Sequence, residues 1–395
     1  MAEPTRVALL GSTGSIGRQT LDVLDHLGHD FTVVALAAGR DRKTLERQAA
    51  RHRPLAVHLA QPVGVSLDVP AGVTVEHGAD ALERLAMRDD VDLVVVATAG
   101  IVSLRPVLTA LAGGKVVAIA NKETLVAGGH LVMPLVKRLA GETGDPLHWL
   151  RPIDSEHSAI WQCLVGERRR DVERLIITAS GGPFRGWSAD QLARATPADA
   201  LAHPTWSMGA KVTIDSATLI NKGLEVIEAC WLYDVEDAKI DVVVHPQSII
   251  HSMIEFADGS LKAQLGLPDM RIPIQYALTF PARVASPAAR TLPGGLPALT
   301  FEAPDEGRFP GLAIAREAGR RGPRASAALI AADEIAVDRF LEGSLAFDGI
   351  PELVAGAVEE FGTGSDSQGP DLEQLIELDA ATRAWAATAR PVRAS

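Results

Sequence analysis

Short apolar runs punctuate the first 150 residues at intervals that suit strands. "RVALLG" (6–11), "FTVVALAAG" (31–39), "LAVHLA" (55–60), "DLVVVATAG" (92–100) and "KVVAIA" (115–120) are almost continuously hydrophobic. A strand buried on both faces reads this way. Between most of them the period changes to three and four, as in "SIGRQTLDVLDHL" and "DRKTLERQAARH". Strands alternating with amphipathic helices predict an α/β fold with an N-terminal doubly wound, Rossmann-like parallel sheet. We assign 1–150 to this first domain.

From 151 to 285 the pattern breaks into islands rich in Gly, His, Pro and Ser: "ASGGPFR", "HPTWSMG", "DSATLINKGLEVIEA" and "HPQSIIHS". This predicts a central α/β domain whose loops carry chemistry. Residues 286–312 are Pro/Gly-rich with little periodicity, as a linker would be. The stretch 313–395 returns to helical spacing, predicting a C-terminal α-helical bundle.

Composition narrows the classes. Hydrophobic residues make up 47% of the 395, enough for large globular cores. A net charge of −12 disfavours a general nucleic-acid binder. Two cysteines, Cys163 and Cys230, make no disulfide framework and fit a reducing cytoplasm. The start shows no basic region followed by a long apolar run, and the longest apolar run is too short for a membrane helix. The expectation is a soluble, cytoplasmic protein with no membrane partner.

Candidate chemistry begins at Gly11-x-x-Gly14-x-x-Gly17, between the first strand and its helix. Glycines let the backbone turn sharply and approach a ligand, and the helix start offers N–H groups to a pyrophosphate. A plain tight turn would look similar; the position at the first strand favours a dinucleotide. The second strand ends in "AAGRD". Dinucleotide folds that prefer NAD place an acid here, whereas Arg40 suits the 2′-phosphate of NADPH. Asp41 either opposes that phosphate or caps the next helix. Asn121, Lys122 and Glu123 follow a strand at its carboxyl end, where open sheets build sites or simply start helices.

In "DSATLINKGLEVIEA", Asp215 or Ser216 is expected to cap a helix beginning near Ala217. Asn221, Lys222 and Glu225 then project from one side of it. A hydroxyl, an amide and an ammonium suit a phosphate monoester; a solvated Lys–Glu face is the plainer reading. Gly223 in mid-helix costs about 1 kcal/mol and predicts close approach of a ligand or another backbone. In "PIDSEHSAIWQ", Asp154 and Glu156 flank one serine. With Glu225 they could form a three-carboxylate site for Mg²⁺ or Mn²⁺. Alternatively the pair only caps the helix that follows.

Six ordered blocks, "LLGSTGSIGRQTLDV", "ANKETL", "IDSEHSAIWQ", "ASGGPFR", "HPTWSMGAKVTIDSATLINKGLEVIEA" and "HPQSIIHSMIEFADGS", resemble the 1-deoxy-D-xylulose 5-phosphate reductoisomerases. The resemblance implies a V-shaped homodimer that uses NADPH and a divalent cation. It also implies the family's activity, conversion of 1-deoxy-D-xylulose 5-phosphate to 2-C-methyl-D-erythritol 4-phosphate in the non-mevalonate isoprenoid route. By motif match, Thr13, Gly14, Ser15, Ile16, Gly39, Arg40, Asp41, Asn121, Glu123 and Gly209 contact the cofactor. Gly39, Arg40 and Asp41 match the family's 2′-phosphate loop, often Gly-Lys-Asn, and the chain departs from it at Arg40 and Asp41. Asp154, Glu156 and Glu225 match the metal ligands. Lys122, Ser155, Glu156, Ser180, His203, Trp206, Ser216, Asn221, Lys222 and Glu225 match substrate contacts, the loop 203–209 closing over the substrate. Lys122, Glu156, His203 and His251 are the catalytic candidates, His251 either catalytic or ordering the pocket. The alternatives are a semialdehyde or homoserine-type dehydrogenase, or a nucleotide sensor without turnover.

Overall fold

The computed structural model describes residues 3–61, 66–142, 144–206, 208–364 and 369–390. Ser207, inside the expected closing loop, lies outside the described residues, as do the last five residues of the expected C-terminal bundle. The chain forms two compact units. The first comprises Met1–Asn121, Val132–Ser158 and Asp269–Ala289; the second comprises Lys122–Leu131, Ala159–Pro268 and Arg290–Ser395.

Seven parallel strands build the first unit: β1 (Thr5–Leu10), β2 (Phe31–Ala38), β3 (Ala56–Leu59), β4 (Thr74–Glu76), β5 (Leu93–Val96), β6 (Val116–Ile119) and β7 (Leu150–Pro152). Their order is β4-β3-β2-β1-β5-β6-β7. Val7, Ala8, Leu9 and Leu10 are fully buried, as are Val94, Val95 and Val96 beside them. That burial explains the unbroken apolar runs. The five strands read from the sequence are present. β4 and β7, of three residues each, are additional. Runs that short carry too few apolar positions to stand out from a loop. The order reverses between β1 and β5, which makes their carboxyl ends the topological switch point.

The second unit has a four-stranded mixed sheet of β8 (Val172–Ala179), β9 (Ile240–Val244), β10 (Ile250–Phe256) and β11 (Leu261–Leu265), in the order β11-β10-β8-β9. β8 and β9 are parallel; β10 runs antiparallel to β8 and β11. The helix Pro323–Leu341 packs against Gly349–Phe361 and Leu372–Thr388, and Gly311–Arg321 packs against Ile220–Tyr233. The helical ending read from the sequence is therefore present.

The "DSATLINKG" segment differs from expectation. One helix runs Ala210–Thr218 and a second Ile220–Tyr233, broken at Leu219 with φ of 60°. Asp215 and Ser216 lie inside the first helix and cap nothing. The sequence shows no break because Leu219 is a good helix former; its left-handed backbone is held by tertiary burial, at a cost of about 1 kcal/mol or more. Gly223 is explained by packing. A Cβ there would lie 2.2 Å from the Ala315 Cβ and 3.3 Å from the Leu312 carbonyl oxygen.

Candidate active site

At the end of β1 the chain turns at Gly11, with φ of 93°. A Cβ on Gly11 would sit 2.3 Å from the Ala97 carbonyl oxygen, and one on Gly17 would sit 2.2 Å from the Gly11 oxygen. No other residue fits either place. The Gly11 and Ser12 N–H groups donate to Ala37 O at 2.9 and 2.8 Å. Gln48 clamps the turn from the following helix, accepting from Ser12 Oγ at 2.7 Å and donating to Ser12 O at 2.8 Å. Thr13, Gly14, Ser15 and Ile16 follow. Gly14 is the N-cap of the helix Ser15–Leu27 and brings no side chain of its own over the first N–H groups.

Gly39 and Arg40 are exposed beyond β2. Arg40 Nε donates to Gln61 Oε1 at 3.3 Å. Asp41 is the N-cap of the helix Arg42–His52, accepting from the Thr44 N–H at 3.0 Å. Hydrogen bonds from Thr44 hold its carboxyl below the usual range, with Arg47 and Arg18 adding attraction. Of the two readings open for Asp41, the capping role is the one observed. Asn121, beyond β6, is buried and donates to Thr98 O at 3.0 Å and Gly100 O at 2.9 Å, past the end of β5.

Asp154 follows β7. Its Oδ1 accepts from the Glu156 N–H at 3.1 Å and its carbonyl from the Ser158 N–H at 2.8 Å, so it starts the helix Ser155–Leu164. The Ser155 hydroxyl donates to Glu156 Oε2. Capping therefore coexists with two carboxylates two residues apart.

In the second unit Glu225 is 1% exposed. Its Oε1 accepts from Asn221 Nδ2 at 2.5 Å and Lys122 Nζ at 3.2 Å; its Oε2 accepts from Lys222 Nζ at 2.7 Å. Lys122 Nζ also donates to Asn221 Oδ1 at 2.5 Å. The predicted Asn221–Lys222–Glu225 face thus forms, buried instead of solvated, with Lys122 added from the start of the helix Lys122–Ala140. Two ammonium groups around one carboxylate make a place that favours oxyanions and charge-assisted hydrogen bonds.

Ser180 stands one residue past β8. A Cβ on Gly182 would lie 2.6 Å from the Ser216 carbonyl oxygen, so the "SGG" turn and the Ser216 helix meet backbone to backbone. His203 Nδ1 accepts from the N–H groups of Thr205 (3.1 Å) and Trp206 (2.8 Å). The ring proton of the neutral imidazole is thereby placed on Nε2, 2.9 Å from Ser180 Oγ. Burial, then Lys222, pulls the His203 pKa down, which keeps the ring neutral. His203 is a hydrogen-bond donor in this arrangement. Trp206 stands 5.8 Å, centroid to centroid, from the buried His251 ring. Gly209 is the N-cap of Ala210–Thr218 and accepts from Thr213 through its carbonyl.

One charge group was not brought together by the sequence reading. Lys211 Nζ donates to Asp215 Oδ2 at 2.5 Å and Asp333 Oδ2 at 2.6 Å, and lies 4.0 Å from Glu123 Oε1. Burial opposes the Lys211 charge, yet the Asp215 and Asp333 carboxylates raise its pKa well above normal. Burial and Asp333 push Asp215 well up. The Lys211–Asp215 spacing of four was readable; Asp333, far along the chain, was not. Of the two cysteines, Cys163 is buried, and burial followed by Asp237 pushes the Cys230 thiol up to about 11. A thiol raised in this way is not an activated nucleophile.

A glycine-clamped turn at the switch point of a parallel sheet is the signature of the dinucleotide-binding α/β enzymes. Within that class, models of three family regions match this chain: 1-deoxy-D-xylulose 5-phosphate reductoisomerase over residues 7–129, its C-terminal domain over 150–233, and the DXP reductoisomerase C-terminal domain over 265–385. The 1-deoxy-D-xylulose 5-phosphate reductoisomerase of Pelotomaculum thermopropionicum is 48% identical over 378 residues, covering 94% of this chain and 95% of that protein. A crystal structure of DOX-P reductoisomerase in complex with NADPH, fosmidomycin and magnesium superposes with a TM-score of 0.87 at 35% identity, covering 97% of each chain. The Zymomonas mobilis reductoisomerase in complex with NADPH gives 0.84 at 39% identity, covering 97% of this chain and 98% of that one. The chain belongs to the 1-deoxy-D-xylulose 5-phosphate reductoisomerase family.

Proposed function

We propose that this chain isomerises and reduces 1-deoxy-D-xylulose 5-phosphate to 2-C-methyl-D-erythritol 4-phosphate with NADPH and a divalent cation, magnesium or manganese. The observation that carries the reading is 48% identity to a reductoisomerase across nearly the whole of both chains. Solved relatives bound to NADPH and magnesium support the cofactor assignment.

The residues suit both groups. Gly11 and Gly17 leave no room for a side chain where the turn would carry the pyrophosphate on Thr13, Gly14, Ser15 and Ile16. Asp154, Glu156 and Glu225 each offer a carboxylate oxygen, the hard donor that Mg²⁺ and Mn²⁺ prefer. When bound, the cation supplies Lewis-acid polarisation of the substrate's carbonyl and NADPH supplies the hydride.

The chain's own residues do the rest. Ser180, Ser216, Asn221 and Lys222 hold the phosphate. His203 donates from Nε2, and its Nδ1 fixes the backbone that carries Trp206 over the substrate. Lys122 neutralises developing negative charge on substrate oxygens, and Ser155 orients Glu156 for proton transfer. His251 supports the Trp206 ring. Asn121, Glu123 and Gly209 complete the cofactor contacts. In this reading the enzyme is a cytoplasmic homodimer with no nucleic-acid partner; no helix among the described residues is long and apolar enough to cross a membrane. The burial of Cys163 and the raised pKa of the Cys230 thiol count against a semialdehyde dehydrogenase.

The test is loss of nicotinamide absorbance when protein, NADPH, Mg²⁺ and 1-deoxy-D-xylulose 5-phosphate are mixed. The reading requires oxidation that stops on chelation. NADPH left intact with every component present refutes it.

A further inference from the structure

We propose that Arg18 and Arg47, with Thr44, read the 2′-phosphate of the cofactor, and that this pair outweighs Arg40 in setting the preference for NADPH over NADH. The inference rests on the NADPH reading above.

A cleft of about 520 Å³ lies along the helices Ser15–Leu27 and Arg42–His52. Where both helices begin, it is lined by Ser15, Arg18, Thr44 and Arg47. Arg18 Nη1 donates to Thr13 O at 2.8 Å, within the turn expected to carry the pyrophosphate. Arg47 Nη2 donates to Thr44 Oγ1 at 2.8 Å. The guanidiniums are thus tethered by single nitrogens, one to each side of the cleft mouth. At the other end, Asp25 accepts from Arg51 at 2.7 Å and stands 3.7 Å from His52 Nδ1. Asp22 lines the cleft as well, so the acids lie away from the helix starts and the anion-binding end is the one at the helix starts.

Dinucleotide sheets bring the ribose 2′ position to the end of the second strand, here Gly39, Arg40 and Asp41. A carboxylate in that place would repel a phosphate. Asp41 is instead turned into the helix as a cap, and Arg47 and Arg18 both act on its charge. Two guanidiniums that already offset a carboxylate at this loop are placed to receive a phosphate beside it, with the fork geometry that oxyanions favour. Arg40, exposed like Arg18 and Arg47, spends its Nε on Gln61 at 3.3 Å and is not among the residues that line the cleft.

Isothermal titration of the full-length protein with 2′,5′-ADP and with 5′-ADP tests this without turnover. Wild type should prefer 2′,5′-ADP. Arg18→Gln/Arg47→Gln should lose about 100-fold of its affinity for 2′,5′-ADP, about tenfold for each charge-assisted contact, while 5′-ADP binding is unchanged and reports that the fold is intact. Arg40→Gln should lose less than the double variant. A wild type that discriminates, with a ratio unchanged in the double variant, overturns the inference alone. A wild type that does not discriminate overturns the NADPH reading and this inference with it.

Discussion

The glycine turn of the first unit and the Lys122–Asn221–Lys222–Glu225 group of the second solve different problems. The turn works by leaving side chains out. Its residues are neighbours in the chain, and their constraint is steric: backbone atoms lie where a Cβ would go. The charged group works by burying what water would otherwise hold. It draws a lysine from one helix onto three residues of another, and each partner offsets the desolvation of the rest. Local steric sites can be read from spacing. Buried ionic sites need to know which distant segment arrives.

Substitutions at either region should break it in opposite ways. The largest effect belongs to Glu225→Gln. Turnover should fall by about 100-fold or more and lose its response to added cation, while NADPH affinity is kept; steady-state rates and a cofactor titration check both halves. Gly17→Ala should do the reverse, forcing the turn open and abolishing NADPH binding, with a loss of several kcal/mol in unfolding free energy as a buried overpacking strain. Lys222→Ala should raise the KM for the sugar phosphate by about 10- to 100-fold and leave the KM for NADPH within about twofold; equal effects on both would remove Lys222 from the phosphate site.

The smallest effect concerns Asp41. Losing the cap through Asp41→Ala should cost about 1 kcal/mol in denaturant unfolding. The folded-state carboxyl titrates below its unfolded value, so the cap's contribution is present above about pH 4 and fades as pH falls through the folded pKa. The difference between wild type and variant should therefore shrink in acid. A gap that widened in acid would reverse the sign.

The sequence carried the parallel sheet because strands such as Val7–Leu10 and Leu93–Val96 are buried on both faces and therefore wholly apolar. It carried the Asn221–Glu225 face because four residues make one helical turn. It did not carry the break at Leu219, whose left-handed backbone is imposed by packing. Nor did it distinguish Gly223 as a helix–helix contact from a ligand contact, since only Ala315, ninety-two positions away, decides that. Asp333 escaped notice for the same reason. Asp154 had two readings, cap and metal ligand; the Glu156 N–H donating to its Oδ1 shows the first, and the second belongs to the proposed function.

The proposed function requires acids from separate stretches of the chain to serve one cation. Electron paramagnetic resonance of Mn²⁺ addresses it directly, because the free-ion signal disappears on binding. We predict that wild type removes one equivalent of Mn²⁺ per chain, and that Asp154→Asn and Glu225→Gln each abolish that uptake while remaining folded. Uptake lost in one variant and untouched in the other would contradict the shared site.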